Sequence, residues 1–211
     1  MNNAPTWHPE VLPAGWTEAA TDLANAGVLE GFSLAGGTAL ALQLGHRRSV
    51  DLDLFSQNHF DPDVLLRKLV GLPALRVDQV APGTLHLELH GVLVSFLHFP
   101  FPRLFPVREF PPITVLDPRD IACMKVQAIS TRGARRDFID LFMVARHYGL
   151  PQVIEWFDQM FATTPYNRVH IRKALAYFED AEAQPMPDML IPLDWIEVRE
   201  FFVNGIRSTT P

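Results

Sequence analysis

Asp51 and Asp53 stand one residue apart in the run VDLDLF. On a strand, that spacing turns both carboxylates to one side, where they can reach the same hard cation. Mg²⁺ suits such a pair, because it is bound through one or two carboxylates and completes its shell with substrate phosphate oxygens. Upstream, Gly36 and Gly37 open a short apolar segment. A glycine pair at a helix start lets backbone N–H groups come close to a phosphate, and the Thr38 hydroxyl adds a donor. Taken singly, these signs have ordinary explanations: the acids would be the exposed face of a half-buried strand, and the glycines a turn. The order strand, glycine pair, helix, then a strand bearing Asp-x-Asp is far more specific.

Hydrophobic periodicity supplies the elements that would hold these groups. Residues 16–30 read as an amphipathic helix through Trp16, Ala19, Ala20 and Leu23. A short strand at 32–34 leads into the glycine pair, and Thr38 is a candidate cap for a helix that stops near Gly45. Residues 50–55 alternate with the strand period, placing Val50, Leu52 and Leu54 on one face and the two aspartates on the other. Asp61 and Pro62 start a further helix. Strands are expected over 75–80, 85–90 and 92–99, the last two joined by a hairpin turn at His90-Gly91. The stretch FPFPRLFPVREFPP carries five prolines and reads as an extended surface connector, since repeated proline sustains neither a helix nor a central strand. From Asp117-Pro118 onward the pattern is helical, with segments to about Thr131, from Arg135 to Tyr148, and near 151–161, 167–181 and 194–203. The expected fold class is α+β: a mixed α/β half over 1–112 and a helical half over 113–211, forming one compact unit.

Bulk properties narrow the class. A chain of 211 residues can bury a sizeable core, and 48% apolar with 20% charged residues is the balance of a globular protein rather than a disordered one. No run approaches the roughly 18 apolar residues of a membrane span. The start, MNNAPTWHPE, lacks a basic segment followed by an apolar one, so no secretory signal is expected. Cys123 is the single cysteine, which excludes an internal disulfide framework and suits a cytoplasmic location. A net charge of −6 argues against a generally basic nucleic-acid coat. The basic residues are nevertheless clustered, His46 with Arg47 and Arg48, and Arg132 with Arg135 and Arg136. Each cluster reads equally well as a solvated face or as a binding patch.

GGTALALQLGHRRSVDLDLF resembles the signature of the nucleotidyltransferase superfamily, a glycine pair followed on the next strand by Asp-x-Asp. The later stretch DPRDIACMKVQAISTRGARRDFIDLF resembles the second signature of one branch, the AbiEii/AbiGii toxin family, in which a lysine-bearing helix precedes an Arg-Asp-x-x-Asp-Leu helix. The resemblance implies a small mixed sheet flanked by helices and followed by a helical bundle that completes the active-site cleft. It implies nucleotide transfer from an NTP to an RNA acceptor, the tRNA 3′ end in particular, by the toxin of a toxin–antitoxin pair whose antitoxin is encoded nearby. On this reading Gly36, Gly37 and Thr38 hold the triphosphate, Asp51 and Asp53 bind Mg²⁺, and Lys125 contacts the triphosphate as a point charge. Asp137 and Asp140 match the family's acidic pair, Asp140 as a catalytic residue, with Asp137 and Arg136 on the nucleotide side.

The later residues also have structural accounts. Asp137 lies near a helix start, where the dipole favours a carboxylate, and it can pair with Arg135 or Arg136. Lys125 can carry its charge past apolar neighbours to solvent. One departure is plain: where many relatives of the superfamily place a third carboxylate on a later strand, VLVSFLHF has Ser95. Serine does not replace a carboxylate as a strong ligand. Glu88, flanked by His86 and His90, is the nearest substitute, although an exposed polar face explains that array better. Two further readings therefore stand beside RNA transfer. One is transfer to a protein or small-molecule hydroxyl, and the other is a non-catalytic protein of this fold that binds nucleotide or a partner.

Overall fold

The computed structural model describes residues 6–208, so part of the N-terminal stretch behind the secretory-signal expectation lies outside the described residues. After α1 (Trp16–Asn25), the chain forms β1 (Ser33–Ala35), α2 (Gly36–Leu44), β2 (Asp51–Ser56) and α3 (Pro62–Leu69). A meander follows, β3 (Leu75–Ala81), β4 (Thr84–Leu89) and β5 (Val92–His98), then a short hairpin, β6 (Arg108–Phe110) and β7 (Ile113–Val115). The rest is helical: α4 (Pro118–Arg132), α5 (Arg135–Tyr148), α6 (Leu150–Met160), α7 (Arg168–Leu175), α8 (Glu179–Glu182) and α9 (Trp195–Ser208). Among the described residues, no helix is long and apolar enough to cross a membrane.

The strands form one mixed sheet in the order β3-β4-β5-β2-β1-β7-β6. β2 lies at its centre, antiparallel to β1 and parallel to β5, with Asp53 directly beside Ser95. The period-2 pattern sorts the two faces. Leu52, Leu54, Leu85, Leu87, Val94 and Phe96 are buried on one side, while Asp51, Asp53, His86 and Ser95 share the other. At roughly 25 cal/mol per Å² of apolar surface removed from water, burial of that first face is what fixes the register. A slip of one residue on β2 would bury both aspartates and expose Leu52 and Leu54.

Local signals set the element ends. Asp61 and Asp117 cap α3 and α4 through their carboxylates, each followed by proline in the first turn. α2 and α4 end at Gly45 and Gly133, both left-handed. The hairpin at His90-Gly91 forms as the pattern predicts, with both residues at positive φ. α1 is shorter than expected, closing at Ala26 ahead of Gly27. Thr38 caps nothing: the helix begins two residues earlier, Ala35 is the N-cap, and no side chain caps it. Val50 precedes the strand and is 62% exposed rather than part of its inner face.

The proline-rich stretch holds more order than an extended connector. Its REF segment forms β6, an edge strand free of proline, and Pro111 and Pro112 make the turn into β7. That hairpin straddles residues 112 and 113 and ties the helical half to the sheet through the β7–β1 pairing. Earlier in the stretch, the buried Asp120 carboxylate accepts the backbone N–H groups of Leu104 at 2.9 Å and Phe105 at 3.2 Å. The Phe101 ring packs on Phe161 at 4.3 Å between centroids.

Candidate active site

The start of α2 is built around two close approaches. Gly36 has φ +66°, and a Cβ there would lie 2.6 Å from Oδ2 of Asp53. Glycine is thus needed both for the backbone angle and for the space the carboxylate occupies. A Cβ on Gly37 would lie 2.2 Å from Nη2 of Arg47. The pair therefore lets an acid and a guanidinium lie against the first turn of the helix, where unpaired N–H groups also favour negative charge.

Asp51 and Asp53 project from β2 into a cleft of about 470 Å³ that Gly36, Gly37, Arg47, Lys125, Arg132 and Arg136 also line. Burial first, and then the neighbouring Asp51, push the Asp53 carboxyl above its ordinary value, against opposing pulls from Lys125 and Ser95. A bound cation would relieve that strain. Beside Asp53 on the neighbouring strand, Ser95 Oγ hydrogen-bonds Nδ1 of His86 at 2.8 Å.

Behind this wall lies a buried charge network. Asp140, fully buried, accepts from Arg47 through Nε at 2.7 Å and Nη2 at 2.8 Å, from Lys125 Nζ at 2.7 Å and from His46 Nε2 at 2.9 Å. Burial alone would raise its pKa, but Lys125 and then Arg47 hold it well below the ordinary carboxylate range. Burial lowers the His46 pKa against the pull of Asp140, so its imidazole is a neutral donor at pH 7. Asp137 holds Lys125 at 2.8 Å and Arg132 at 2.7 Å. Its carboxyl is likewise lowered, Lys125 and Arg132 outweighing burial. Three cations against two carboxylates leave one positive charge directed at the cleft. Buried charges of this kind stand only when paired in good geometry, and here both acids have their oxygens engaged.

The sequence-derived candidates thus divide. Gly36, Gly37, Asp51, Asp53, Lys125 and Arg136 line one cleft. Thr38, Asp137 and Asp140 do not: all three are buried, and the acids reach the cleft only through the cations they hold. The Thr38 hydroxyl is spent on the Asp51 carbonyl and on Ser49 Oγ at 2.7 Å, so it braces β2 instead of offering a donor to a ligand. Lys125 does not run out to solvent but is buried between two aspartates. Asp137 pairs with Arg132 and Lys125 rather than Arg135 or Arg136, because Arg135 turns away to the Ala181 carbonyl. The His86, Glu88 and His90 array disperses: His86 meets Ser95, Glu88 meets Arg76 at 2.8 Å, and His90 meets Asp22 at 2.7 Å. Among the described residues, no group of three metal-ligating side chains converges.

Sequence reasoning left Arg47, His46, Arg132 and His86 without roles. Arg47 and His46 meet Asp140 more than 90 positions away, and only the cluster of basic residues after Gly45 hinted at them, while Arg132 and His86 find their partners 5 and 9 positions along the chain.

Comparison with known proteins agrees with this architecture. The family model described as the nucleotidyl transferase AbiEii toxin of type IV toxin–antitoxin systems matches residues 20–81 and 73–208. An uncharacterized protein of Aquifex aeolicus (strain VF5) is 34% identical over 201 residues, covering 90% of this chain and 94% of its own length. Among solved structures, the nucleotidyltransferase toxin MenT4 of Mycobacterium tuberculosis H37Rv superposes with a TM-score of 0.54 at 17% identity, over 93% of this chain and 86% of that one. A candidate nucleotidyltransferase of H. pylori gives 0.50 at 15% identity, over 93% and 95% of the two chains.

Proposed function

Because the chain belongs to the AbiEii family of nucleotidyltransferase toxins, we propose that its cleft transfers a nucleotide from a Mg²⁺-bound NTP to an RNA acceptor, the tRNA 3′ end, under the control of an antitoxin encoded nearby. The observation that carries this reading is the meeting of Asp51 and Asp53 with Lys125 and the glycine-built start of α2 in one cleft. Mg²⁺ needs only one or two protein carboxylates when phosphate oxygens complete its shell, so two aspartates suffice without a third acid at Ser95. When bound there, the ion neutralises charge on the transferring phosphate and orients the attacking hydroxyl.

The chain's own groups supply the rest. Lys125 and Arg136 face the triphosphate, Lys125 as a fixed point charge and the exposed Arg136 as a movable one. Arg47 and Arg132 add positive potential along the wall, and the α2 N–H groups cap a phosphate oxygen. Phe55, Leu97, Phe99 and Met124 give one part of the cleft an apolar lining suited to a base. Asp137 and Asp140 are positioning residues that hold Lys125, Arg47 and Arg132 in place through ion pairs.

Radiolabel transfer from each NTP to total RNA tests the proposal. Label in RNA that is lost in Asp51→Asn and Asp53→Asn supports it. Label confined to protein selects a protein hydroxyl as acceptor. NTP binding without any transfer would reduce the chain to a non-catalytic member of the family.

A further inference from the structure

The wall of the cleft formed by Thr131 and Arg132 has a second side. Both residues also line a groove of about 570 Å³ between the end of α4 and α7 with its following turn. Arg132 is fixed there by Asp137, yet its side chain is 52% exposed. Lys173 projects from α7, exposed, its side chain without an ion pair or hydrogen bond among the described residues. Tyr177 is 50% exposed, its hydroxyl held by Glu179 at 2.6 Å, so the ring is both restrained and open to solvent. His170 donates from Nε2 to the Ser130 carbonyl, 3.0 Å away, and so ties α7 to α4. Asp180 is the single acid in the lining.

We propose that this groove binds the unpaired nucleotides that precede the acceptor's terminal hydroxyl, with Arg132 and Lys173 on their phosphates and Tyr177 stacked on a base. The inference rests on the RNA-acceptor reading above. Single-stranded nucleic acid is held by cations that track the backbone and by aromatic faces that accept any base, and both are present here. Continuity with the cleft selects the strand that must enter it: a chain whose 3′ end reaches Asp51 and Asp53 crosses the Thr131–Arg132 wall. An acidic protein segment would use the cations but would gain little from the exposed ring.

The test uses the full chain and a 5′-fluorescein single-stranded RNA of about eight nucleotides, read by fluorescence anisotropy. Tyr177→Ala should weaken binding about tenfold while Tyr177→Phe, which loses only the bond to Glu179, retains it. Lys173→Gln should weaken binding and lower the slope of log affinity against log salt by about 0.7. If the wild-type chain labels RNA but Tyr177→Ala and Lys173→Gln bind the oligomer as it does, the groove is overturned and the RNA reading survives. If the wild-type chain neither binds nor labels RNA, both fall. Displacement of the RNA by an equally charged poly-glutamate peptide at similar concentration would mark a protein-binding groove and overturn the inference as well.

Discussion

Arg47 reaches Asp140 through two bonds of 2.7 and 2.8 Å only because Gly37 leaves the space through which its guanidinium passes. An alanine there would place its Cβ 2.2 Å from Nη2. Gly37→Ala should therefore push Arg47 out of the bidentate geometry and cost about 2 kcal/mol of stability. In a chain of this size that is a fall in Tm of about 4–8 °C by calorimetry. An unchanged Tm would show that Arg47 can pair by another route.

Asp140→Asn should be more damaging, at about 3–5 kcal/mol, because it strips the counter-charge from two buried cations at once. The pH dependence has a definite sign. A carboxyl held below its ordinary value of 3.8 contributes stability that is complete above that value and lost as pH falls through the lower folded one. The gap between wild type and Asp140→Asn should therefore be constant near neutrality and close only in acid below the ordinary carboxylate range. Urea melts at several pH values measure it, and a gap that closed above pH 5 would contradict the network.

Asp53 carries the opposite sign. Burial and Asp51 raise its folded pKa, so the folded chain holds this proton more tightly than the unfolded one. Stability attributable to Asp53 then falls as pH rises from the ordinary value through the raised folded one. Asp53→Asn should melt higher than wild type at pH 7, with the difference vanishing towards pH 4. Mg²⁺ at about a hundred times its Kd should add about 2.7 kcal/mol to wild type and much less to the variant. Equal Mg²⁺ shifts in both proteins would remove Asp53 from the metal site.

Ser95→Asp restores the third acid at the strand position beside Asp53. Like charges on adjacent strands repel, so with chelator present the variant should lose about 1 kcal/mol of stability. Mg²⁺ should recover that loss and bind more tightly than in wild type, as titration calorimetry would show. A variant that is destabilised with and without Mg²⁺ would mean that position 95 points away from the ion.

Much of the scaffold was legible because it depends on neighbours in sequence. Asp61-Pro62 and Asp117-Pro118 mark helix starts, Gly45 and Gly133 mark ends, and the alternation of β2 places its two aspartates on one face. What stayed hidden depends on distant partners. Nothing local distinguishes Asp140 as a fully engaged buried acid from Asp140 as a cleft residue, since Arg47 lies 93 positions away. Thr38 looked like a cap because threonine before an apolar helix usually is one, but the positive φ of Gly36 starts the helix early. The β6–β7 hairpin escaped because its strands are only three residues long and the prolines that flank and join them read the same as prolines in a loop.

The way Lys125 is held has a practical consequence for anyone who wants this toxin silent. Substituting Lys125 looks like the obvious disarming mutation, yet it would unclamp Asp137 and Asp140 together and so take the fold with the chemistry. A culture surviving that mutant would report degradation as readily as disarmament. Asp51 and Asp53, which face the cleft and brace nothing behind it, are where a harmless but intact bait for the antitoxin should be made.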